Sequence, residues 1–562
     1  MNENTSRSSR FEKLVAFLIA SVAIFVAITA FLQNYASSIS AKANRAAQEL
    51  AIESTKTEIE GAIQYSYDWQ SAFQTWNEVD LQRVAADQSG NTKFVDRYTK
   101  LAEKLVPLTP LLSEPYFDKD RNWPSTSKYA ADLYVVEATR LQELYQANAE
   151  VGRAWSNIAD VFVIQITLLT VTLSLYGLSI TLRGRVRWLF VLVGTGLVFF
   201  CMLWMGKILI ERNPTVSEEA IRAYAEGYGF AYQENYEDAI AAFDRALAIK
   251  PDYGNAMYER GFNYLSLHEY DRAVTDFLAA RELGVDGEYT YWNLAWTYYL
   301  MGRYDDAIQA NAVILDSDPS VIGMRMNQGL VYLAKGDLAQ AQREYDTLIA
   351  EVQRQIAEAH AKNQEPSASL WYYMDAASTD LQNLLDQLDG NPKSWTEAPQ
   401  ATLIVGDHAQ IKAFALEEIT RLKEATLALE YTGQLPSPQE VMSVSPFAFG
   451  NITKTDEEGY VTEFNAVEDA TFPQDTPAVD VQFSYTGPTP TQQIMWKVFR
   501  NGVEDASFRS LWEPDLSGSD TWYKTIGYNH TNIFVLSSGE YTVELYVDYH
   551  LVQRGTFYVE DQ

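Results

Sequence analysis

Five histidines, His268, His360, His408, His530 and His550, and one cysteine, Cys201, are the side chains of this sequence best suited to metal ligation or nucleophilic catalysis. The histidines fall far apart in separate segments. No His-x-x-x-His pair sets two imidazoles on one helix face, and no glutamate stands beside one for metal-assisted hydrolysis. One thiol forms neither an intramolecular disulfide nor a cysteine-rich zinc module, and Cys201 lies between Phe200 and Met202, where it behaves as a small hydrophobe. No Gly-x-Ser-x-Gly elbow, phosphate-cradling Gly-Lys-Ser/Thr loop or dinucleotide fingerprint occurs. The acids Asp305 and Asp306, and Asp456, Glu457 and Glu458, read as solvated faces. The expectation is a protein without catalytic residues, metal ligands or cofactors, and not an enzyme.

The elements around these residues point elsewhere. With 562 residues and about 100 to 200 per domain, three to five domains are expected. Lys plus Arg is 43 against 75 for Asp plus Glu, a net charge of −32 that repels nucleic-acid phosphates and anionic headgroups alike. Nucleic acid is therefore excluded as a partner. A 13% aromatic content, with 35 tyrosines, is too high for a disordered acidic chain.

Three segments have the length and composition of membrane spans. No charge occurs between Lys13 and Lys42, and residues 14–33 are almost wholly apolar, enough at about 1.5 Å per residue to cross a hydrocarbon core. Arg7, Arg10 and Lys13 also fit the basic start of a cleaved signal peptide, but the apolar run exceeds the roughly 7 to 15 residues such a peptide uses. Further spans are expected at 160–182 and 188–210, joined by a five-residue loop, 183–187, that can only turn the chain round. Arg183, Arg185 and Arg187, with the basic residues of 1–13, place both segments in the cytoplasm by the positive-inside rule. Residues 34–159 and the chain beyond 210 then lie across a cytoplasmic membrane crossed three times. Ala16, Ala20, Ala23, Ala27 and Ala30 make one stripe of small residues, and Thr167, Thr170, Ser174, Gly177 and Thr181 another. Such stripes let helices approach closely, so the two spans are expected to pack together or against another copy.

Residues 36–85 are rich in Ala, Glu, Gln and Lys and carry Tyr65, Tyr67, Trp69, Phe73 and Trp76; residues 128–158 resume helical periodicity and run into the second span without a breaker. The segment 34–159 is thus a helical hairpin or bundle rooted at both ends. It resembles the membrane-flanked helical sensor domains of bacterial receptors, which implies a ligand response centred here on Trp69 and Trp76.

The chain repeats itself further on. A period of 34 aligns Gly227, Gly261, Ala295 and Gly329, then Phe230, Tyr264, Tyr298 and Tyr332. The register continues through Ala239, Ala273, Ala307 and Ala341, and through Phe243, Phe277, Asn311 and Tyr345, with Pro251 and Pro319 closing the first and third units. Small residues stand where two helices cross, large aromatics fill the space beside them, and proline ends the second helix. These positions resemble the tetratricopeptide repeat (TPR) family over 220–353, which implies an α-solenoid of four helix pairs. Asn311 departs from the expected aromatic, Ile314 and Leu348 from the expected small residue, and Val285 from proline.

The resemblance also implies a concave groove lined by the first helix of each pair. Carried onto this sequence, those positions are Tyr224, Tyr228 and Tyr232, Tyr258 and Phe262, and Trp292, Trp296 and Tyr299. The groove lacks the Lys, Arg and Asn that grip a free carboxylate, so an apolar helix or extended peptide is the ligand it implies, unless the chain's own helices fill it. Candidates for filling or capping lie in 354–432, where Leu370, Met374, Ala377, Leu381 and Leu384, and Ile411, Phe414, Ile419 and Leu422, keep helical spacing.

Past the proline-rich boundary at Pro436 and Pro438 the period changes to two. Alternating runs at 479–485, 493–500, 522–526 and 539–549, with the turn signal Asn501-Gly502, predict an all-β sandwich over 440–562. The Gly539 to Val547 strand followed by a Gly555 to Val559 strand resembles the immunoglobulin-like sandwiches of exported bacterial proteins, in which Trp512 and Trp522 are candidate stacking residues. The whole reads as a mainly α, membrane-anchored scaffold for a protein or peptide partner on the outer face of the cytoplasmic membrane. The rival reading is a sensor or transport accessory subunit acting through 34–159.

Overall fold

The computed structural model describes residues 2–119, 121–210, 215–392, 397–435, 443–456, 461–474, 476–486, 493–508, 510–512, 521–527 and 535–560. His530, Glu457, Glu458, Pro436 and Pro438 lie outside them, as does the side chain of Trp512. The chain forms two compact units, residues 1–286 and 287–562. The cut falls between the second and third repeats.

The first unit opens with α1 (Asn2–Tyr67), a single helix that runs through the first apolar segment and well beyond it. A π-helical turn (Asp68–Phe73) leads into α2 (Gln74–Gln88), followed by α3 (Thr92–Leu105). A two-residue-per-strand hairpin, β1 (Phe117–Asp118) and β2 (Trp123–Pro124), precedes α4 (Thr126–Ala130) and a second π-helical turn (Ala131–Val135). Then α5 (Val136–Thr181) returns alongside α1, and α6 (Val186–Ile210) turns back after Gly184, whose φ of 81° suits a residue without Cβ. The glycine in the middle of α1's outer part, Gly61, has a packing reason: a Cβ there would lie 2.2 Å from Cβ of Tyr134. Ser40 and Ser54 of α1 donate to the carbonyls of Gly152 and Ala138, at 2.8 and 3.0 Å, so short side chains draw the helices together.

Among the described residues, three helices are long and apolar enough to cross a membrane. They share a core of Phe11, Val15, Val22, Leu169, Tyr176, Val191 and Cys201. Neither small-residue stripe serves that core. Ala16, Ala20, Ala23 and Ala27, and Thr167, Thr170, Ser174, Gly177 and Thr181, are exposed and Ala30 is half-buried, so of the two expected roles the stripes do not take that of joining the spans within one chain. Larger side chains make the contact because α1 and α5 also pair outside the apolar stretch, and that pairing sets their rotation.

Two helix pairs complete this unit: α7 (Glu218–Tyr232) with α8 (Tyr236–Ile249), and α9 (Gly254–Ser266) with α10 (Tyr270–Glu282). Phe243 lies over Gly227 and Phe277 over Gly261, each fully buried, as the crossing of small on large requires.

The second unit holds α11 (Glu288–Leu300) with α12 (Tyr304–Ser317), and α13 (Ile322–Ala334) with α14 (Leu338–Ala361). The turns inside the four pairs place Glu234, His268, Gly302 and Gly336 at φ of 59, 60, 71 and 83°, one left-handed residue per 34. His268 is thus a turn residue. Helix α14 continues past 353 to Ala361, because Gln353 stands where Pro251 and Pro319 end the earlier helices. Then come α15 (Ala368–Leu388) and α16 (His408–Thr432), the latter capped by Asp407 and ended by Gly433 at φ 68°.

The C-terminal region contains β3 (Ser443–Val444), β4 (Ala448–Thr455), β5 (Val461–Ala466), β6 (Thr471–Phe472), β7 (Ala478–Thr486), β8 (Ile494–Arg500), β9 (Val503–Glu504), β10 (Ser510–Trp512), β11 (Thr521–Gly527), β12 (Gly539–Val547) and β13 (His550–Val559). One sheet runs β10-β8-β12-β13-β6, with β9 on β8; the other runs β11-β7-β4-β5, with β3 on β7. Val479, Val481 and Phe483 from one sheet and Trp496, Val498, Val543, Leu545 and Phe557 from the other share one core. Asn501 and Gly502 turn the β8–β9 hairpin with φ of 51 and 82°, both positive as a type I′ turn demands. Strand β12 is buried on both faces: Val543 and Leu545 point into the sandwich, while Glu544 and Tyr546 meet α16. Lys423 donates to Glu544 at 2.5 Å, Tyr546 hydroxyl donates to the same carboxylate at 2.7 Å, and Leu427 packs on Met495 and Tyr546. The last helix therefore seats the sandwich.

Candidate partner-binding groove

In the first unit, the groove side of the repeats meets the chain's own stalk. Tyr224 is 5% exposed and sits in a core with Ile221, Tyr253 and Leu144 of α5. Glu143, also on α5, accepts from the Tyr253 hydroxyl at 2.6 Å and from Asn255 Nδ2 at 3.0 Å. Glu259 of α9 faces this pair; burial and the nearby Glu143 charge push its carboxyl up to about 7. Glu143 is itself raised by burial, opposed by the Tyr253 and Asn255 hydrogen bonds. A repeat groove that grips a helix through a buried carboxylate is being used as a dock for that helix. Tyr224 is thus withdrawn from any open groove. Tyr228 and Tyr258 are half-buried, and Tyr232 and Phe262 remain exposed at 45% and 42%.

In the second unit the same positions are also covered in part. Trp292 packs on Tyr373 of α15, with ring centroids 5.9 Å apart, and fills the place a Cβ on Gly323 would occupy. Tyr299 is fully buried, so it too leaves the expected groove, while Trp296 packs beside it, tilted by 37° at 5.0 Å, and stays half-buried. The hydroxyls of Tyr299 and Tyr345 and both amide atoms of Asn311 and Asn327 have no partner among the described residues. Asp380 of α15 lies close by, its carboxyl pushed up to about 7 by burial and then by Glu397. Asn311 is thus the departure from the repeat pattern that leaves polar atoms in a core.

The outer bundle concentrates aromatics as the sequence indicates. Trp69 and Phe73 stack at 4.8 Å, and Trp123 meets both edge-on, at 5.8 and 5.0 Å. Asp68, fully buried, accepts through Oδ2 from Tyr129 at 2.5 Å and from Gln64 at 2.9 Å; its Oδ1 has no partner among the described residues. Sequence reasoning misses Asp68, although an acid within an aromatic run is a visible signal.

The histidines do not converge. His408 Nε2 lies 3.2 Å from the Ile404 carbonyl, His550 Nδ1 lies 3.4 Å from Glu424, and His268 Nδ1 pairs with the Tyr270 hydroxyl at 3.0 Å. Among the described residues no group of three potential metal ligands comes together.

A tetratricopeptide repeat family model matches residues 224–261 and 258–322, so the chain carries TPR repeats, the class of helix-pair module that binds proteins and peptides. No curated protein sequence matches the chain. Among solved structures it is similar to MamA residues 41 to the end from Desulfovibrio magneticus RS-1, at 22% identity and a TM-score of 0.24, covering 24% of this chain and 77% of that one. It is also similar to YrrB, described as a TPR protein with an unusual peptide-binding site, at 23% identity and a TM-score of 0.23, covering 26% and 74%. The alkylpurine DNA glycosylase AlkC of Pseudomonas fluorescens aligns over 61% of this chain and 87% of its own, at 9% identity and a TM-score of 0.23. Scores this low carry no argument about activity.

Proposed function

We propose that this protein is a non-enzymatic scaffold, anchored by three spans in the cytoplasmic membrane, that presents its repeats and an immunoglobulin-like sandwich to a protein or peptide partner on the outer face. The observation that carries the reading is the grip of Tyr253 and Asn255 on Glu143. It holds the first two repeats on the part of α5 that precedes the second apolar segment, about 26 Å short of residue 160 at about 1.5 Å per residue. Bundle and repeats then share one side, and the arginine loop 183–187 takes the other. With Tyr224 and Tyr299 inside cores, Tyr232 and Phe262 are the exposed ring surfaces that the first unit offers a partner. The exposed small-residue stripes are free to join a second copy within the bilayer.

The test pairs topology with capture. A Lys362→Cys label in a Cys201→Ala background should react with a membrane-impermeant maleimide once any outer barrier is permeabilised, with the inner membrane intact. Crosslinking in cells should then capture one specific protein, and Tyr232→Ala together with Phe262→Ala, both in the first unit, should release it. Labelling only after inner-membrane lysis, or capture of nothing specific, defeats the proposal.

The sensor reading retains support from one observation: the Oδ1 of a fully buried Asp68, without a partner among the described residues, beside a box of Trp69, Phe73 and Trp123. A thermal shift of the full chain with a metabolite panel, abolished by Asp68→Asn, would favour it.

A further inference from the structure

We propose that the loop-side ends of the three apolar helices form a binding site for the phosphate of an anionic phospholipid headgroup. This rests on the membrane reading above. It runs against the overall charge of −32, and for that reason the local arrangement is decisive. The loop and the start of α6 carry Arg183, Arg185 and Arg187 with no acid among them, and Arg10 and Lys13 stand on α1 with Glu12 between them, so the five cations outnumber the one acid.

Packing brings these two groups together. The Arg187 guanidinium lies over the Phe11 ring, 3.9 Å from its centroid, and Trp188 meets the same ring edge-on at 5.1 Å. Phe11 is 6% exposed and belongs to the core that unites the three helices, so the stack pins the start of α6 to α1. It also fixes the plane of the guanidinium, whose fork of N–H donors matches a phosphate.

Arg187 Nε is covered by the protein and has no acceptor among the described residues, while the residue as a whole stays half-buried, so a phosphate would meet the guanidinium through its terminal nitrogens. None of Arg10, Lys13, Arg183 and Arg185 forms an ion pair among them either; the four are exposed. A guanidinium held at the edge of a hydrocarbon layer without a carboxylate partner is costly, and a lipid phosphate is the anion available at that depth. The surroundings fit a lipid better than free phosphate: Leu14, Phe17, Val186 and Leu189 are 43 to 69% exposed immediately beside the cations, a surface for acyl chains. Each basic residue near an anionic surface is worth about 1 kcal/mol, or about fivefold in preference.

The experiment uses the full chain in nanodiscs of phosphatidylcholine with phosphatidylglycerol, followed by native mass spectrometry of retained lipid. Wild type should keep phosphatidylglycerol over phosphatidylcholine. Arg187→Gln should cut that preference about fivefold, and Arg187→Lys, which keeps the charge and loses the fork, should cut it by less. Arg45→Gln, far along α1, should change nothing. Insertion with no phosphatidylglycerol preference, or an unchanged preference in Arg187→Gln, overturns the site and leaves the membrane reading standing. Failure to insert overturns both. Inorganic phosphate adducts without retained lipid overturn the assignment to lipid.

Discussion

The most informative perturbation is Glu259→Gln, at the junction of the repeats with the stalk. Glu259 faces Glu143 of α5, and around the two stand Tyr224 and Tyr228 of α7, Tyr253 ahead of α9, and Lys250, whose charge acts on Glu143. Burial is the first cause of the raised carboxyl and the Glu143 charge the second, and together they carry Glu259 from 4.5 to about 7. A raised carboxyl binds its proton more tightly folded than unfolded. Its favourable contribution is therefore complete below about pH 4.5 and is lost as pH rises through about 7. The loss amounts to roughly 3 kcal/mol, at about 1.4 kcal/mol for each tenfold gain in proton affinity, and is shared with Glu143 because the pair titrates together. Glutamine has nothing to ionise. Calorimetry of the full chain should find Glu259→Gln near wild type at pH 5 and more stable at pH 8, by about 2 to 4 °C per kcal/mol in the transition of the first unit. Glu143→Gln should reduce the pH dependence that remains in wild type, while losing part of the grip from Tyr253 and Asn255. Parallel stability curves for wild type and Glu259→Gln from pH 5 to 8 would refute the reasoning.

Three further outcomes follow from packing. Gly229→Ala forces a Cβ to within 2.4 Å of Val136 Cγ2 and should weaken the dock of the first repeat on α5 by roughly 1 to 3 kcal/mol, read as faster proteolysis between bundle and repeats. Lys423→Met removes the closest cation from the fully buried Glu544 and should cost roughly 3 kcal/mol, read from the urea midpoint of the second unit, with Arg554 at 3.6 Å limiting the loss. Gln165, fully buried between apolar helices with neither amide atom partnered among the described residues, should gain about 1 kcal/mol or more as Gln165→Leu, measured as a rise in Tm in detergent.

What the sequence determined by itself is what repeats or runs along one element. The 34-residue register survives translation into structure because each small residue needs a large one over it, as Gly227 has Phe243 and Gly329 has Tyr345. Uncharged runs are legible as helices long and apolar enough to cross a membrane, and the Asn501-Gly502 turn because few residue pairs accept two positive φ angles in succession. Relations between distant segments were not legible. That α5 would fill the first repeats, placing Tyr224 beside Leu144, depends on two surfaces 80 residues apart meeting in register. The burial of Tyr299, the two-sided burial of β12 under α16 and the outward turn of both small-residue stripes have the same origin. Periodicity shows which face of an element is apolar, but only tertiary packing decides which partner covers it, because burial stabilises equally well against any surface of matching shape.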